Sequence, residues 1–174
     1  MVRIVQEKSK ILREIAREVP FQEIRGRKIK DILRKMTEAL DKRKEGVAIA
    51  APQIGESLRI FIIDGNVWLH KEGAYKDGEK HFPQILPVVF INPVIKKISK
   101  KKQTVKEGCL SVEKTFGNLK RAEKITIEAL DENGKKNVVG RSGFLSQIIQ
   151  HEIDHLNGVL FIDEATGLEK ISNV

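Results

Sequence analysis

An α+β fold is the expectation for this chain, and three observations carry it. An amphipathic helical pattern lies near the start, a series of short β-rich segments follows, and a second helical pattern lies near the end. We expect mixed or antiparallel β-sheets packed around the C-terminal helix, with the N-terminal helix on the outside. At 174 residues, one domain spanning 1–174 is the default.

Residues 28–45 read as the first helix: Ile29, Ile32, Leu33, Met36, Ala39 and Leu40 recur every three or four positions, and Lys, Arg and Glu fill the other face. Gly46 stops it, and the segment from Gly46 to Gly55 is small, apolar and poorly periodic. Arg59 to Asp64 reads as a strand. Residues 65–88 hold Gly65, Gly73, Gly78, Pro83 and Pro87 around a charged middle, which reads as an inserted surface loop or ragged hairpin. Val88–Pro93 and Ile95–Ile98 look like strand pieces, and the lysines of 96–102 suit a solvated edge. Ile125–Leu130 and Val138–Val139 flank Asp131-Glu-Asn-Gly134, a hairpin signal. Ser142 is placed to cap a final helix running to about Asn157, with Gly158 as its stop.

Composition narrows the function classes. With 40% apolar and 32% charged residues the chain is globular rather than disordered. The apolar stretch Ile85–Ile95 contains two prolines and is far shorter than the roughly 20 residues a membrane helix needs. Glu7, Glu14 and Glu18 among the early bases suit neither a secretory signal nor a transit peptide, so the expected location is cytoplasmic. The single cysteine, Cys109, excludes an intramolecular disulfide. A net charge of +8 fits either solubility or a nucleic-acid partner.

His151-Glu152-Ile153-Asp154-His155 is the strongest local signal. Two histidines four apart lie one turn above the other on one helical face, so both imidazoles can reach one metal ion. Glu152 can then approach water at the metal, and the ion lowers that water's pKa while the carboxylate takes its proton. In a chain of this composition the pattern is expected by chance on the order of 0.01 times. The bland alternative is a pair of solvated helix histidines.

The third ligand decides the reaction class. The pattern that continues to a third histidine fails here, because position 161 is Phe. A later glutamate would have to be Glu164 or Glu169, in a short polar tail. Cys109 is the better candidate: a thiolate with two imidazoles leaves an open coordination position for catalysis. Gly108 permits close backbone approach beside it. Spacing alone does not bring Cys109 to the helix, and a buried core cysteine stays open at this point.

Glu107-Gly-Cys-Leu-Ser111, His151-Glu-Ile-Asp-His155 and Gly46-Val-Ala-Ile-Ala-Ala-Pro-Gln53, with their separations, resemble the three motifs of the peptide deformylase family. The likeness runs from the helix before Gly46 to about Asp163 and includes Lys120–Ile125 and Asp131–Gly134. It implies a metallohydrolase that removes the formyl group from the N-terminal formyl-methionine of nascent polypeptides and releases formate. By motif position Cys109, His151 and His155 would bind one divalent metal ion, and Glu152 would be general base and acid. Fe(II) is the implied physiological metal, and Zn, Ni or Co can take its place in a purified sample. Gln53 and the backbone N–H of Leu110 would hold the developing oxyanion. Val47, Ala48 and Gly108 would contact substrate from the motifs, and Phe144, Gln147 and Ile148, on the ligand-bearing helix face, would line the methionine pocket.

The chain departs from the family pattern in places. Ala48 stands where a second glycine is common, Gln147 makes the pocket wall more polar, and 65–88 is long. His70 and His81 inside that segment read as surface residues rather than ligands. The sequence after Asp163 lacks the basic helix that some bacterial members use for ribosome docking. The expected partners are formyl-methionyl nascent peptides and, through basic patches, the ribosome surface, with no membrane and no sequence-specific nucleic acid; a monomer is expected. Two alternatives remain: a metallopeptidase using Glu164 or Glu169, and a ribosome- or RNA-binding module using Arg25, Arg27, Lys28, Lys30 and the 96–102 lysines.

Overall fold

The computed structural model describes residues 2–43, 45–70, 75–76, 79–80 and 85–171; the expected surface position of His81 lies outside these, as does the side chain of His70. Helix α1 spans Arg27–Asp41 and buries Ile29, Ile32, Met36, Ala39 and Leu40, the face its periodicity predicts. It ends short of Gly46, with Lys42 as its C-cap.

Strands β1 (Ala48–Ala50), β2 (Ile60–Ile63), β5 (Val88–Ile98), β8 (Lys124–Leu130) and β9 (Lys136–Ser142) form an antiparallel sheet in the order β1-β2-β5-β8-β9. Strand β2 reads Ile-Phe-Ile-Ile because both its faces are covered. Ile60 and Ile62 pack with Ile32, Met36 and Leu40 of α1. Phe61 and Ile63 pack on the opposite side with Ile149, Ile153 and Leu156 of helix α3 (Phe144–Leu156). Phe61 is fully buried and stacks on Phe90, with ring centroids 4.7 Å apart; truncating such a side chain costs about 3–5 kcal/mol.

A second sheet runs β10 (Thr166–Lys170), β7 (Val112–Ala122), β6 (Lys102–Cys109). Helix α3 is wedged where the two sheets meet. Gln150 acts there like a strand partner: its Oε1 accepts from the Ala122 N–H at 3.0 Å and its Nε2 donates to the Ala122 carbonyl at 2.9 Å. Ser146 adds a bond from its hydroxyl to the same carbonyl at 2.9 Å.

Several expectations need correction. Ser142 does not cap α3: it ends β9, opposite Lys124, and Gly143 (φ 58°) makes the turn into the helix. Positive φ is open to glycine without steric cost, so the backbone rather than a hydroxyl sets the start. Residues 65–88 contain the expected hairpin, but a helix that was not expected precedes it. Helix α2 (Gly65–His70) begins them, with the Asp64 carboxylate accepting from Asn66 and Val67 N–H groups at 2.9 and 3.2 Å. Beyond it lies the two-stranded hairpin β3 (Tyr75–Lys76) and β4 (Glu79–Lys80). The two strand pieces after Val88 are one strand, because Asn92 takes φ 51° and absorbs a register shift between Ile91 and Val94. The lysine run is exposed as expected, yet Lys97 pairs with β8 and Lys102 with β7. Glu169, in a tail expected to be merely polar, lies on β10.

Candidate active site

The last residue of β6 and the middle of α3 meet at one point. The ligand atoms of Cys109, His151 and His155 all lie within 4.8 Å of one another, and Cys109 Sγ is 3.2 Å from His155 Nε2. Ligands sharing one tetrahedral ion through bonds of about 2.0–2.3 Å sit roughly 3.5 Å apart, so the trio fits a metal. Its chemistry fits too: sulfur and two imidazole nitrogens leave room for a fourth ligand.

His151 Nδ1 meets Glu107 Oε2 at 2.9 Å, which fixes the tautomer and frees Nε2 for an ion. Glu107 is in turn gripped by Arg121, whose Nε and a terminal nitrogen donate to its two oxygens at 2.7 and 2.9 Å. Burial disfavours the Glu107 anion, but Arg121 and His151 outweigh it and hold the carboxyl down at about 2. Arg121 also reaches Asp154 at 2.6 Å, so one guanidinium ties β6 to α3.

Burial lowers the basicity of His151, but Cys109 and Glu107 reverse that and raise it well above an ordinary histidine. His155 is pushed well below the ordinary value by burial and by the charges of His151 and Arg121. Burial is also the main reason the Glu152 carboxyl rises to about 7, with His151 opposing. Among the described residues, Glu152 Oε2 and His155 Nδ1 are buried with no hydrogen-bond partner. A cluster of acidic and sulfur donors around a proton-hungry imidazole is what a cation would complete.

Gln53 sits in the 3-10 turn Ala51–Ile54 after β1 and is 2% exposed. Its Oε1 accepts from the Ala50 N–H at 2.8 Å, and its Nε2 faces Ser111 Oγ at 3.2 Å and Cys109 Sγ at 3.5 Å. A cavity of about 630 Å³ opens over these groups. Its walls include Val47, Ala48, Gln53, Gly108, Cys109, Leu110, Phe144, Gln147, Ile148, His151 and Glu152, so every sequence-predicted site residue except the buried His155 reaches it. Gln147 donates to the Lys106 carbonyl at 3.0 Å, which occupies part of its polarity. Strands β1 and β6, each at the edge of its sheet, both contribute to the walls.

Glu169 does not join the cluster: it is exposed and pairs with Lys106 at 2.7 Å. Glu164 is exposed as well. Sequence reasoning missed the work of Glu107, Arg121 and Asp154. Its available signal was the alternation along β7, which turns Gly117, Leu119 and Arg121 inward and leaves a charged side chain needing a partner. It also missed Phe116, whose ring covers Gly108 so closely that a Cβ there would lie 2.6 Å from it.

An α+β scaffold with a Cys-His-His cluster and an adjacent buried carboxyl defines a metal-dependent hydrolase. The family model described as polypeptide deformylase matches residues 1–171. The peptide deformylase of Desulforudis audaxviator is 37% identical over 96% of this chain and 95% of its own. That of Borreliella burgdorferi is 42% identical over 78% of this chain and 72% of its own. The Acinetobacter baumannii enzyme, solved with Met-Ala-Ser bound, superposes with a TM-score of 0.81 at 30% identity, covering 94% of this chain and 98% of that one. The Thermotoga maritima peptide deformylase gives 0.77 at 32% identity, over 95% and 98%. The chain belongs to the polypeptide deformylase family. It is a metal-dependent hydrolase that removes the N-formyl group from nascent polypeptide chains.

Proposed function

We propose that the formyl group of an N-terminal formyl-methionine is cleaved in the cavity over Cys109, His151 and His155, with Glu152 as general base and acid. The observation that carries this reading is the cavity that Glu152, with its buried, unpartnered Oε2, lines together with Cys109, His151 and Gln53. A divalent ion held by Cys109, His151 and His155 supplies Lewis-acid polarisation and acidifies water; Fe(II) is the proposed physiological metal, with Zn, Ni or Co acceptable to the same donors. Glu152 takes a proton from the attacking water and delivers it to the departing amine. Gln53 Nε2 and the Leu110 N–H donate to the oxygen that gains charge in the tetrahedral intermediate.

Val47, Ala48 and Gly108 offer backbone groups from two open strand edges, so an extended peptide can lie between β1 and β6 as an added strand. Phe144, Gln147 and Ile148 form the wall for the methionine side chain. The family match over residues 1–171 supports one catalytic domain; a monomer in the cytoplasm is the proposed setting. Among the described residues no helix is long and apolar enough to cross a membrane. The exposed lysines of 96–102 are the proposed ribosome contact.

Formate release from a formyl-methionyl peptide, using anaerobically prepared Fe(II) protein beside Glu152→Ala, tests the assignment. Activity abolished in the variant supports it; an equally active variant overturns the role of Glu152.

A further inference from the structure

We propose that the segment Ile4–Gln6 aligns the two oxyanion donors and that Gln6 is a positioning residue for deformylation; the proposal rests on the roles given to Leu110 and Gln53 above. Leu110 and Ser111 are the two residues that connect β6 to β7, with Cys109 opposite Val112. Among the described non-glycine residues only Asn92 and Lys114 have positive φ, so this connection is none of the left-handed turn types that suit a two-residue hairpin. Such a turn gains its definition from outside.

The outside support is the N-terminal segment. Gln6 Nε2 donates to the Leu110 carbonyl and to the Ile4 carbonyl, each at 3.3 Å. Its neighbour Val5 donates its backbone N–H to the Gln53 carbonyl at 2.9 Å. Side chains reinforce the same grip from two directions. Ile4 packs in the cluster that contains Leu110 and Ile54, whereas Val5 packs in the cluster that contains Cys109 and Phe161. Three consecutive residues therefore hold the backbone of Gln53 and the turn that carries Leu110. The Gln53 amide closes the circuit through Ser111 Oγ.

An oxyanion donor lowers the barrier only if it already points at the developing charge, so a support that stops the turn from swinging acts on the transition state. Gln6 contributes no contact to the reacting atoms; its effect passes through the Leu110 carbonyl, and the Leu110 N–H moves with that turn.

Gln6→Met keeps the length and removes the donor. Removing a whole oxyanion donor lowers kcat by about 10²–10³-fold, so loss of its support is expected to lower kcat about 5- to 30-fold. KM, bound metal and the thermal midpoint are expected to stay at wild-type values, while hydrogen exchange at the Leu110 amide accelerates. Gln6→Glu, which keeps the shape and replaces the donor with an acceptor, is expected to reproduce the kcat loss, so a folding defect in one variant does not decide the question. Wild-type kcat in a folded variant, or a change confined to KM, overturns the positioning role. Gln53→Ala is measured alongside. If it loses activity while both Gln6 variants keep theirs, this inference alone falls; if it is fully active, the oxyanion reading falls and takes the inference with it.

Discussion

Arg121 meets Glu107 through two parallel hydrogen bonds inside the protein, and both residues are almost fully buried, at 6% and 4% exposure. Replacing Arg121 with Met leaves the buried Glu107 with His151 as its remaining partner in the cluster, and breaking a buried pair in this way costs about 3–5 kcal/mol. Because Glu107 also orients His151, metal affinity is expected to fall about 10- to 100-fold. Urea unfolding and competition with a chelator read the two effects separately. A variant with unchanged metal affinity would show that the pair serves only the fold.

Cys109→Ser separates the deformylase reading from a metallopeptidase completed by Glu164 or Glu169. Severe loss of bound metal is expected, because Cys109 Sγ belongs to the ligand cluster while Glu169 is engaged by Lys106. Metal content after dialysis gives the answer, and full retention would remove Cys109 from the site.

Gln147→Ile exchanges an amide in the cavity wall for an apolar group and gives up its bond to the Lys106 carbonyl. KM for a formyl-methionyl peptide is expected to fall severalfold with kcat unchanged, the signature of uniform binding. A rise in KM would mean that the bond to Lys106 shapes the pocket.

Gly158 ends α3 with φ +74°, and a Cβ there would lie 2.7 Å from the Arg13 carbonyl oxygen. That oxygen belongs to backbone and cannot swing aside, so Gly158→Ala is expected to cost about 1–3 kcal/mol. Thermal unfolding at fixed metal occupancy measures it; an unchanged midpoint would contradict the crowding.

Asp163 accepts from Arg13 at 2.5 Å and from the Leu160 N–H at 2.9 Å. Although burial raises its carboxyl, these partners win and hold it below the usual value. A folded-state pKa below the unfolded one stabilises above the unfolded value, near 4, and that contribution fades as pH falls through the folded one. The stability gap between wild type and Asp163→Asn is therefore expected at pH 6 and to narrow below about pH 4. Urea midpoints across that range test it, and a gap independent of pH would assign the effect to packing.

Much of the site was legible because its most informative part is local. His151, Glu152 and His155 share one turn of one helix, where spacing alone dictates that both imidazoles face the same way. Cys109 needed the family resemblance, since nothing in its own neighbourhood says which helix it meets across the fold. The helix of 65–70 escaped because Asp64-Gly-Asn reads as a turn, while the same Asp64 carboxylate serves as an N-cap. Arg121 and Gln150 were silent for a related reason: a buried polar side chain declares itself only through its partner, and Glu107 and Ala122 are distant in sequence. Gln6 was hidden in the same way, more than a hundred residues from Leu110.

The two open strand edges at the cavity, β1 and β6, bear on how widely the enzyme can work. Every protein presents the same alternation of N–H and C=O along its main chain, whatever its side chains. A cleft that grips this common thread, and reserves side-chain discrimination for the one residue every new protein starts with, can serve an entire proteome with one catalyst. In the proposed binding mode, selectivity at the first position and indifference beyond it would be two outcomes of one arrangement: a walled pocket beside a groove that asks only for backbone.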